Sequence, residues 1–263
     1  MDLLTHISAG LAIGTCIAVG TKSSALKKTG IILAGALGGA LPDIDAISLW
    51  SKFDSTFGRF FGLQHSGRFI YSGKLWYSHH GFMHSLVASL IFGFLLLLFI
   101  YFIRSRFRGI SFSSFGQSVK NNRRLLFGFL GGYLAHLLCD MPTPAASWGG
   151  VRLFYPFTGY IGGTGKIWWW NNYDIFLIVN VIVVINVLLL VLGSVIRRRF
   201  RNLSLSILLI SIVFILVQIN ARGFDFNYTV SSSKQFQQYE AKSKEIQQDI
   251  LGNNLYTKMK RFD

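Results

Sequence analysis

Six apolar stretches dominate this sequence, and each is close to the roughly 20 residues that an α-helix needs to cross a bilayer. Because a backbone in lipid must satisfy its own hydrogen bonds, such stretches form helices. The sequence therefore predicts an all-α, polytopic membrane helix bundle of about six transmembrane helices. The first, second and fourth stretches are rich in Gly and Ala, which indicates close packing at the centre. The six stretches are residues 3–20, 29–50, 84–103, 125–141, 174–196 and 203–221.

Composition supports this class and argues against an ordinary soluble domain. Hydrophobic residues make up 51% of the chain, charged residues make up 14%, and the mean hydropathy is +0.45. A net charge of +15 would suggest nucleic-acid binding in a soluble protein, but here many basic residues cluster between apolar stretches. That pattern is typical of membrane topology and headgroup contact. The expected partner is therefore the lipid bilayer, and no nucleic acid is expected.

The distribution of lysine and arginine predicts the orientation of the bundle. Thirteen of these residues lie in the connections 21–28, 104–124 and 197–202, against six in the longer connections 51–83 and 142–173. Basic connections tend to stay in the cytoplasm. The two long loops are therefore predicted to lie on the outer face of the inner (cytoplasmic) membrane, together with the N-terminus and the C-terminal tail.

Two regions are predicted along the chain. Residues 1–221 form a transmembrane domain with its site within the first 160 residues, and residues 222–263 form a polar C-terminal tail. Within the tail, residues 235–251 could form a helix. The tryptophans at 168–170 are expected to lie in the headgroup belt of the membrane rather than to contact a substrate.

Ionisable residues lie at the same predicted end of four apolar stretches. Imidazole and carboxylate groups are costly at membrane depth, so they indicate a functional site by default. Taken singly, each has an ordinary explanation; His136 and Asp140, for example, could form a hydrogen bond between helices. Their shared depth favours a common site instead. The candidates are His6, Asp43, Asp45, His79, His80, His84, His136 and Asp140.

These side chains have the chemistry of a metal centre. Neutral imidazole nitrogens and carboxylate oxygens suit zinc, with manganese or iron(II) as alternatives. There are more candidates than the ligands of one catalytic ion, so either two metals are held or some residues orient the ligands. A metal-bound histidine usually donates its other N–H to a carboxylate, and Asp45 could accept it. A metal-activated water would be the nucleophile, so no protein nucleophile is required.

Spacing along the chain supports the same centre. His80 and His84 are four residues apart, as His136 and Asp140 are, and on a helix such pairs project from one face. This spacing favours His80 over its neighbour at 79. Pro42 is expected to end the second helix, so that the following carboxylate can turn inward.

The ordered motifs resemble one known family. His6, LPDID at 41–45, HHGFMHS at 79–85 and HLLCDMPTPAASWGGVRLFYPF at 136–157 are similar to the pattern of the YdjM family of bacterial and archaeal inner-membrane proteins, described as metal-dependent hydrolases. The resemblance covers roughly residues 1–160. It implies a divalent metal, most simply one to three zinc ions, held by His6, Asp43, His80, His84, His136 and Asp140.

This chain departs from the family pattern at two positions. Gly81 directly follows His80 where the family often has an arginine, and Met83 stands where threonine is usual. The missing arginine leaves open whether His79 or His80 is the ligand. The same resemblance implies a site wall shaped by Thr143, Gly149 and Pro156.

The family is in turn similar to the zinc phospholipase C and P1 nuclease group, which implies a phosphoester substrate. We therefore expect a membrane-bound metal-dependent hydrolase acting on a lipid or lipid-linked phosphoester, with Asp45 and His80 as catalytic residues. Arg152 and Lys166 lie on the same predicted side and could hold phosphate oxygens.

Two other classes of function remain open. An ion or proton transporter would need polar residues through the whole depth of the bundle, and the last two apolar stretches are almost pure hydrocarbon. A noncatalytic regulatory membrane protein is the third alternative.

Overall fold

The computed structural model describes residues 1–105, 111–146, 148–196, 200–228 and 233–262. Over these residues the chain is helical and no strand forms, which confirms the predicted class. The longer helices are α1 (Leu3–Val19), α2 (Ala25–Ala40), α4 (Leu86–Ser105), α5 (Phe112–Asp140), α6 (Tyr173–Val195), α7 (Arg201–Asn220) and α8 (Ser233–Met259).

Shorter helical segments fill the connections. A 3₁₀ helix (Leu41–Leu49) continues α2, a π-helical turn (Asp54–Gly58) and α3 (Gly67–Ser72) follow it, and a second 3₁₀ turn (Phe82–His84) precedes α4. A last 3₁₀ turn follows α8 (Lys260–Phe262).

Each of the six predicted stretches coincides with a helix, but the helices are not alike. Four segments of the described chain are long and apolar enough to cross a membrane, and α1 is a shorter apolar helix. The polar first half of α5 was not expected, because the apolar stretch begins only at 125. The basic residues at 106, 108 and 197–199, which entered the orientation argument, lie outside the described residues. The four segments are Ala25–Leu49, Leu86–Ser105, Tyr173–Val195 and Arg201–Asn220.

Glycines bring α1, α2 and α5 into backbone contact. A Cβ atom on Gly10 would lie 2.2 Å from the carbonyl oxygen of Gly35, and one on Gly132 would lie 2.1 Å from the same oxygen. A Cβ on Gly39 would lie 2.3 Å from the carbonyl oxygen of His6. Since real Cβ atoms do not approach so closely, these positions require glycine. The prediction that the Gly- and Ala-rich helices pack centrally is confirmed.

α8 covers part of the second long loop, and the predicted tail helix lies within it. Trp168 is fully buried, and its ring packs against Phe226, Phe236 and Tyr239 at centroid distances of 5.3 to 5.8 Å. Burial of Trp168 against the tail was not expected from the sequence, whereas its depth in the membrane stays a prediction. Aromatic residues of the tail pack against the indole ring. The polar composition of the tail gave no indication of this contact.

A buried ion pair fixes the start of α6 to the residues after α7. One guanidinium nitrogen of Arg222 donates to both carboxylate oxygens of Asp174, at 2.8 and 2.6 Å. The Asp174 N–H donates to the side chain of Gln247 on α8, at 3.0 Å. Removing one partner would leave a buried charge uncompensated, so this contact ties the tail to the bundle.

The glycine contacts generate a paired test. We expect Gly132→Ala to lower the free energy of unfolding by about 1–3 kcal/mol, because the added methyl group overpacks the α2–α5 contact. Gly116→Ala on the same helix has nothing within 4 Å of its Cβ, and we expect it to be neutral or to stabilise by up to about 1 kcal/mol. Thermal unfolding in detergent measures both, and equal effects would contradict the packing.

Candidate metal centre

The end of α2 positions the two aspartates of the LPDID motif. α2 ends at Ala40 and a 3₁₀ helix with Pro42 at its start takes over, as the sequence predicted. A 3₁₀ helix has about three residues per turn, so residues two apart point in different directions. Asp43 accordingly faces His6, whereas Asp45 faces His79.

Four side chains from three segments, α1, the 3₁₀ helix after α2, and α5, meet at one point. One ligand atom from each of His6, Asp43, His136 and Asp140 lies within 4.8 Å of the others. The Nε2 atoms of His6 and His136 are each 3.1 Å from an oxygen of Asp140. An oxygen of Asp43 lies 3.5 Å from Nε2 of His136 and another lies 4.0 Å from that of His6. We call these four residues the primary group.

His84 lies beside the primary group, on the turn before α4. Its Nε2 atom is 3.2 Å from Nε2 of His136, 3.5 Å from Asp140 and 3.6 Å from Asp43. All three histidine side chains are fully buried. Three imidazoles and two carboxylates therefore surround a space of atomic size, and their formal charge balances a divalent cation.

Hydrogen bonds orient the imidazole of His136 toward this space. Its Nδ1 lies 2.7 Å from the carbonyl oxygen of Gly39 and, since a carbonyl only accepts, Nδ1 carries the hydrogen. The Nε2 lone pair is then free to bind a cation. Pro42 contributes to this arrangement, because it has no N–H with which to form the 3₁₀ hydrogen bond to Gly39.

Several buried polar atoms of the centre lack hydrogen-bond partners among the described residues. They are both ring nitrogens of His6, one carboxylate oxygen of Asp140, Nδ1 of His84 and one oxygen of Asp45. Some of these atoms lie within 3.1 to 3.5 Å of a neighbour, but not with the directions of a hydrogen bond. Buried polar atoms are costly unless satisfied. A divalent cation would satisfy the atoms that face the primary group, so the residues fit a metal.

A second group lies beside the first. His79, His80 and His84 can also present ligand atoms within 4.8 Å of one another. Nδ1 of His79 is 2.7 Å from one oxygen of Asp45, whose other oxygen is 3.4 Å from Nδ1 of His84. Nδ1 of His80 donates to the carbonyl oxygen of Gly150, at 2.9 Å.

The predicted helical spacing of His80 and His84 is wrong. The two residues lie on a turn and a short 3₁₀ segment, and α4 begins only at Leu86. His80 has a positive φ of 62°, which places its ring against that of His84 at 4.6 Å without a helix. Both neighbouring histidines thus reach the site, and His79, which spacing ranked lower, has the closer contact with Asp45.

Electrostatics distinguish the histidines outside the membrane segments. Burial alone lowers the pKa of His84, but the three aspartates beside it outweigh burial and hold this pKa well above its usual value. Burial, together with the neighbouring imidazoles, holds the pKa of His80 well below its usual value. The centre therefore favours a positive charge between the carboxylates.

The α-amino group of Met1 also contacts Asp140.

Two aromatic residues in the two long loops were not among the residues predicted for the site. Trp148 stacks on His80 at 4.9 Å and meets His79 edge-on at 5.1 Å. Tyr71 stacks on His79 at 4.5 Å, and its carbonyl oxygen accepts the indole N–H of Trp148. An aromatic residue far along the chain gives no signal that it will cover a histidine, so only the fold reveals this wall.

The residues predicted to form the wall and to hold phosphate have different surroundings in the structure. Thr143 is buried and donates to the backbone oxygen of Asp140, at 2.6 Å. Arg152 instead donates to the carbonyl oxygens of Pro156 and Phe157, the first of which belongs to the predicted wall. Gly149 is in the left-handed region, next to the tryptophan that covers the site.

Lys166, the other predicted phosphate contact, pairs with Asp225 at 2.6 Å, and both side chains are exposed. Neither Arg152 nor Lys166 therefore has a described contact with the primary group.

Comparison with known proteins identifies one family. The family described as YdjM inner membrane protein matches residues 1–222. Neither the curated proteins nor the solved structures contain a match.

The primary group generates a metal-content prediction. We expect purified protein to hold a divalent cation in stoichiometric amount and both His136→Ala and Asp140→Asn to lose it, because each removes a ligand from the centre. His65→Ala is the matched control, since His65 is exposed and contacts Phe69. Elemental analysis by mass spectrometry measures the content. Stoichiometric metal in both ligand variants would exclude this site.

Asp45 gives a separate prediction because it contacts His79 and His84 and is not a member of the primary group. Asp45→Asn removes the charge that orients His79 and His84, and we expect metal affinity to fall about 10- to 100-fold while stoichiometry at saturation is kept. Competition with a fluorescent chelator measures the affinity. Loss of all metal at saturation would instead make Asp45 a direct ligand.

Proposed function

Since this chain belongs to the YdjM inner membrane protein family, we propose that it is a membrane-bound, metal-dependent hydrolase that cleaves a phosphoester in a lipid or lipid-linked substrate. The observation that carries the proposal is the meeting of five candidate ligands, three fully buried imidazoles and two carboxylates, from four segments of the chain. Such a set holds a Lewis-acidic cation without supplying a protein nucleophile.

The proposed metal ligands are His6, Asp43, His84, His136 and Asp140, with zinc as the first candidate and manganese or iron as alternatives. When bound, the cation polarises a phosphoryl oxygen and makes water a nucleophile at neutral pH. The protein contributes orientation, since Gly39 fixes the tautomer of His136 and Asp45 lies against His79 and His84.

Residues beside the primary group are proposed to handle protons. With Nδ1 of His79 held by Asp45 and Nδ1 of His80 held by Gly150, the Nε2 atom of each ring is left for the substrate or for a further metal ion. In this scheme Asp45 acts by positioning His79. Tyr71 and Trp148 limit the access of water to these rings, which strengthens the local electrostatics.

The charge-derived orientation supports a site near the outer face of the inner membrane. A site at the ends of membrane helices lies at headgroup level, where the phosphoester of a membrane lipid is located. The chemistry of the ligands and the position of the site together favour a substrate that stays in the bilayer.

A transporter of ions or protons is the second candidate, favoured by polar contacts deeper in the bundle. Ser204 donates to Asn186 at 2.6 Å, and the amide of Asn186 donates to Thr15 at 3.4 Å. All three side chains are buried. They connect α1, α6 and α7, however, and no described hydrogen bond links them to the primary group.

The proposal predicts phosphoester hydrolysis by protein reconstituted in nanodiscs. We expect phosphate or headgroup release from a panel of phospholipids and lipid pyrophosphates, loss of that release with a chelator, and recovery on adding zinc. His84→Ala should reduce release to background and His65→Ala should not, because only the former is a proposed ligand. Release is measured by colorimetry and by mass spectrometry of the lipids.

The same protein in sealed vesicles separates the two candidates. Metal-dependent uptake of an ion or protons with no hydrolysis of any lipid would favour transport and contradict the hydrolase. Hydrolysis without uptake is the result that we expect.

A further inference from the structure

The residues that follow the membrane segment Ala25–Leu49 form an exposed surface that is rich in aromatic side chains. The residues that follow expose large aromatic side chains, with 47% of Trp50, 40% of Phe57, 81% of Phe60 and 64% of Phe61 accessible. Their rings contact one another, with centroids 6.2 Å apart between Trp50 and Phe57, 6.5 Å between Phe57 and Phe61, and 4.9 Å between Phe60 and Phe61. We call these four residues the aromatic face.

Exposed cations accompany the aromatic face. Lys52 and Arg59 lie within the same segment, and Arg68 follows on α3. Among the described residues, no carboxylate forms an ion pair with any of them. The nearby Asp54 instead accepts the backbone N–H of Gly67, at 2.6 Å. The surface therefore combines a continuous apolar area with unneutralised positive charge.

We propose that the aromatic face is an anchor that inserts into the anionic headgroup layer of the bilayer leaflet nearest the metal centre. Aromatic rings concentrate at the membrane–water interface, and basic residues beside them bind anionic lipids. A large exposed apolar area could also mark a protein partner. The lipid is favoured because the face continues directly from the exposed Ile44 and Ile47 of a membrane segment, and because its cations match anionic headgroups.

The anchor is joined rigidly to the metal centre. α3 packs so closely on the preceding 3₁₀ helix that a Cβ atom on Gly67 would lie 2.0 Å from the carbonyl oxygen of Ser48. Tyr71, in the same short helix, stacks on His79 and bonds Trp148. Insertion of the anchor therefore holds the aromatic wall of the site at headgroup level. A role of the anchor in presenting lipid substrates rests on the proposed function. The insertion of the anchor into the bilayer does not.

Site-specific fluorescence tests the anchor without any assay of hydrolysis. Phe60→Cys, labelled with an environment-sensitive dye, is compared with Asn254→Cys on the exposed polar part of α8, with the native cysteines 16 and 139 replaced by alanine. Both are reconstituted in nanodiscs of phosphatidylcholine, alone or mixed with phosphatidylglycerol. We expect a blue shift and quenching by brominated lipid at position 60 alone, with stronger quenching in the anionic discs.

Charge reversal tests the electrostatic part. Lys52→Glu with Arg59→Glu should abolish the increase that anionic lipid causes while leaving helicity unchanged by circular dichroism. Emission from position 60 that stays unshifted and as open to aqueous iodide as position 254 would overturn the anchor, and equal quenching in both discs would overturn its preference for anionic lipid. A His136→Ala background should give the same result, so failure of the anchor and failure of the metal centre are distinguishable.

Discussion

The backbone contact between α1, α2 and α5 is the constraint on which the candidate metal centre depends. Gly39 illustrates it, because any side chain there would collide with the backbone of His6, while its carbonyl oxygen accepts the Nδ1 hydrogen of His136. One residue thus sets the separation of two helices and the tautomer of His136 on the third. Small residues permit such approach in lipid, where packing and not the hydrophobic effect drives helix association.

Close approach also explains how two carboxylates can be buried together. Asp140 and Asp43 would repel each other and lose hydration at this depth, so neither is tolerable without positive charge or hydrogen bonds nearby. His6, His84 and His136 place their Nε2 atoms within 3.1 to 4.0 Å of these oxygens. The arrangement therefore favours a cation at its centre, and the raised pKa of His84 reflects the same field. A cation bound there would therefore also stabilise the fold.

Sequence reasoning located the helices and the group of ionisable side chains because both leave local signals. Apolar stretches of membrane length and a shared depth for His6, Asp43 and Asp140 required no knowledge of the fold. The turn that carries His80 left no such signal, since a spacing of four residues between two histidines does not reveal whether the residues between them are helical. Contacts between distant loops were equally hidden: Trp148 and Tyr71 meet across 77 positions, and burial of Trp168 depends on aromatic residues in a polar tail.

The position of the centre at helix ends has a physical reason of its own. Carbonyl groups inside a helix are occupied by the N–H four residues later, whereas those of the last turn are not all occupied. Gly39 lies in the last turn of α2, and Pro42 cannot donate to it, so its oxygen is available to orient His136. Gly150 does the same for His80 from a loop. A metal centre of this kind needs free carbonyls as well as ligands, and in a membrane helix bundle both are found together where the helices end.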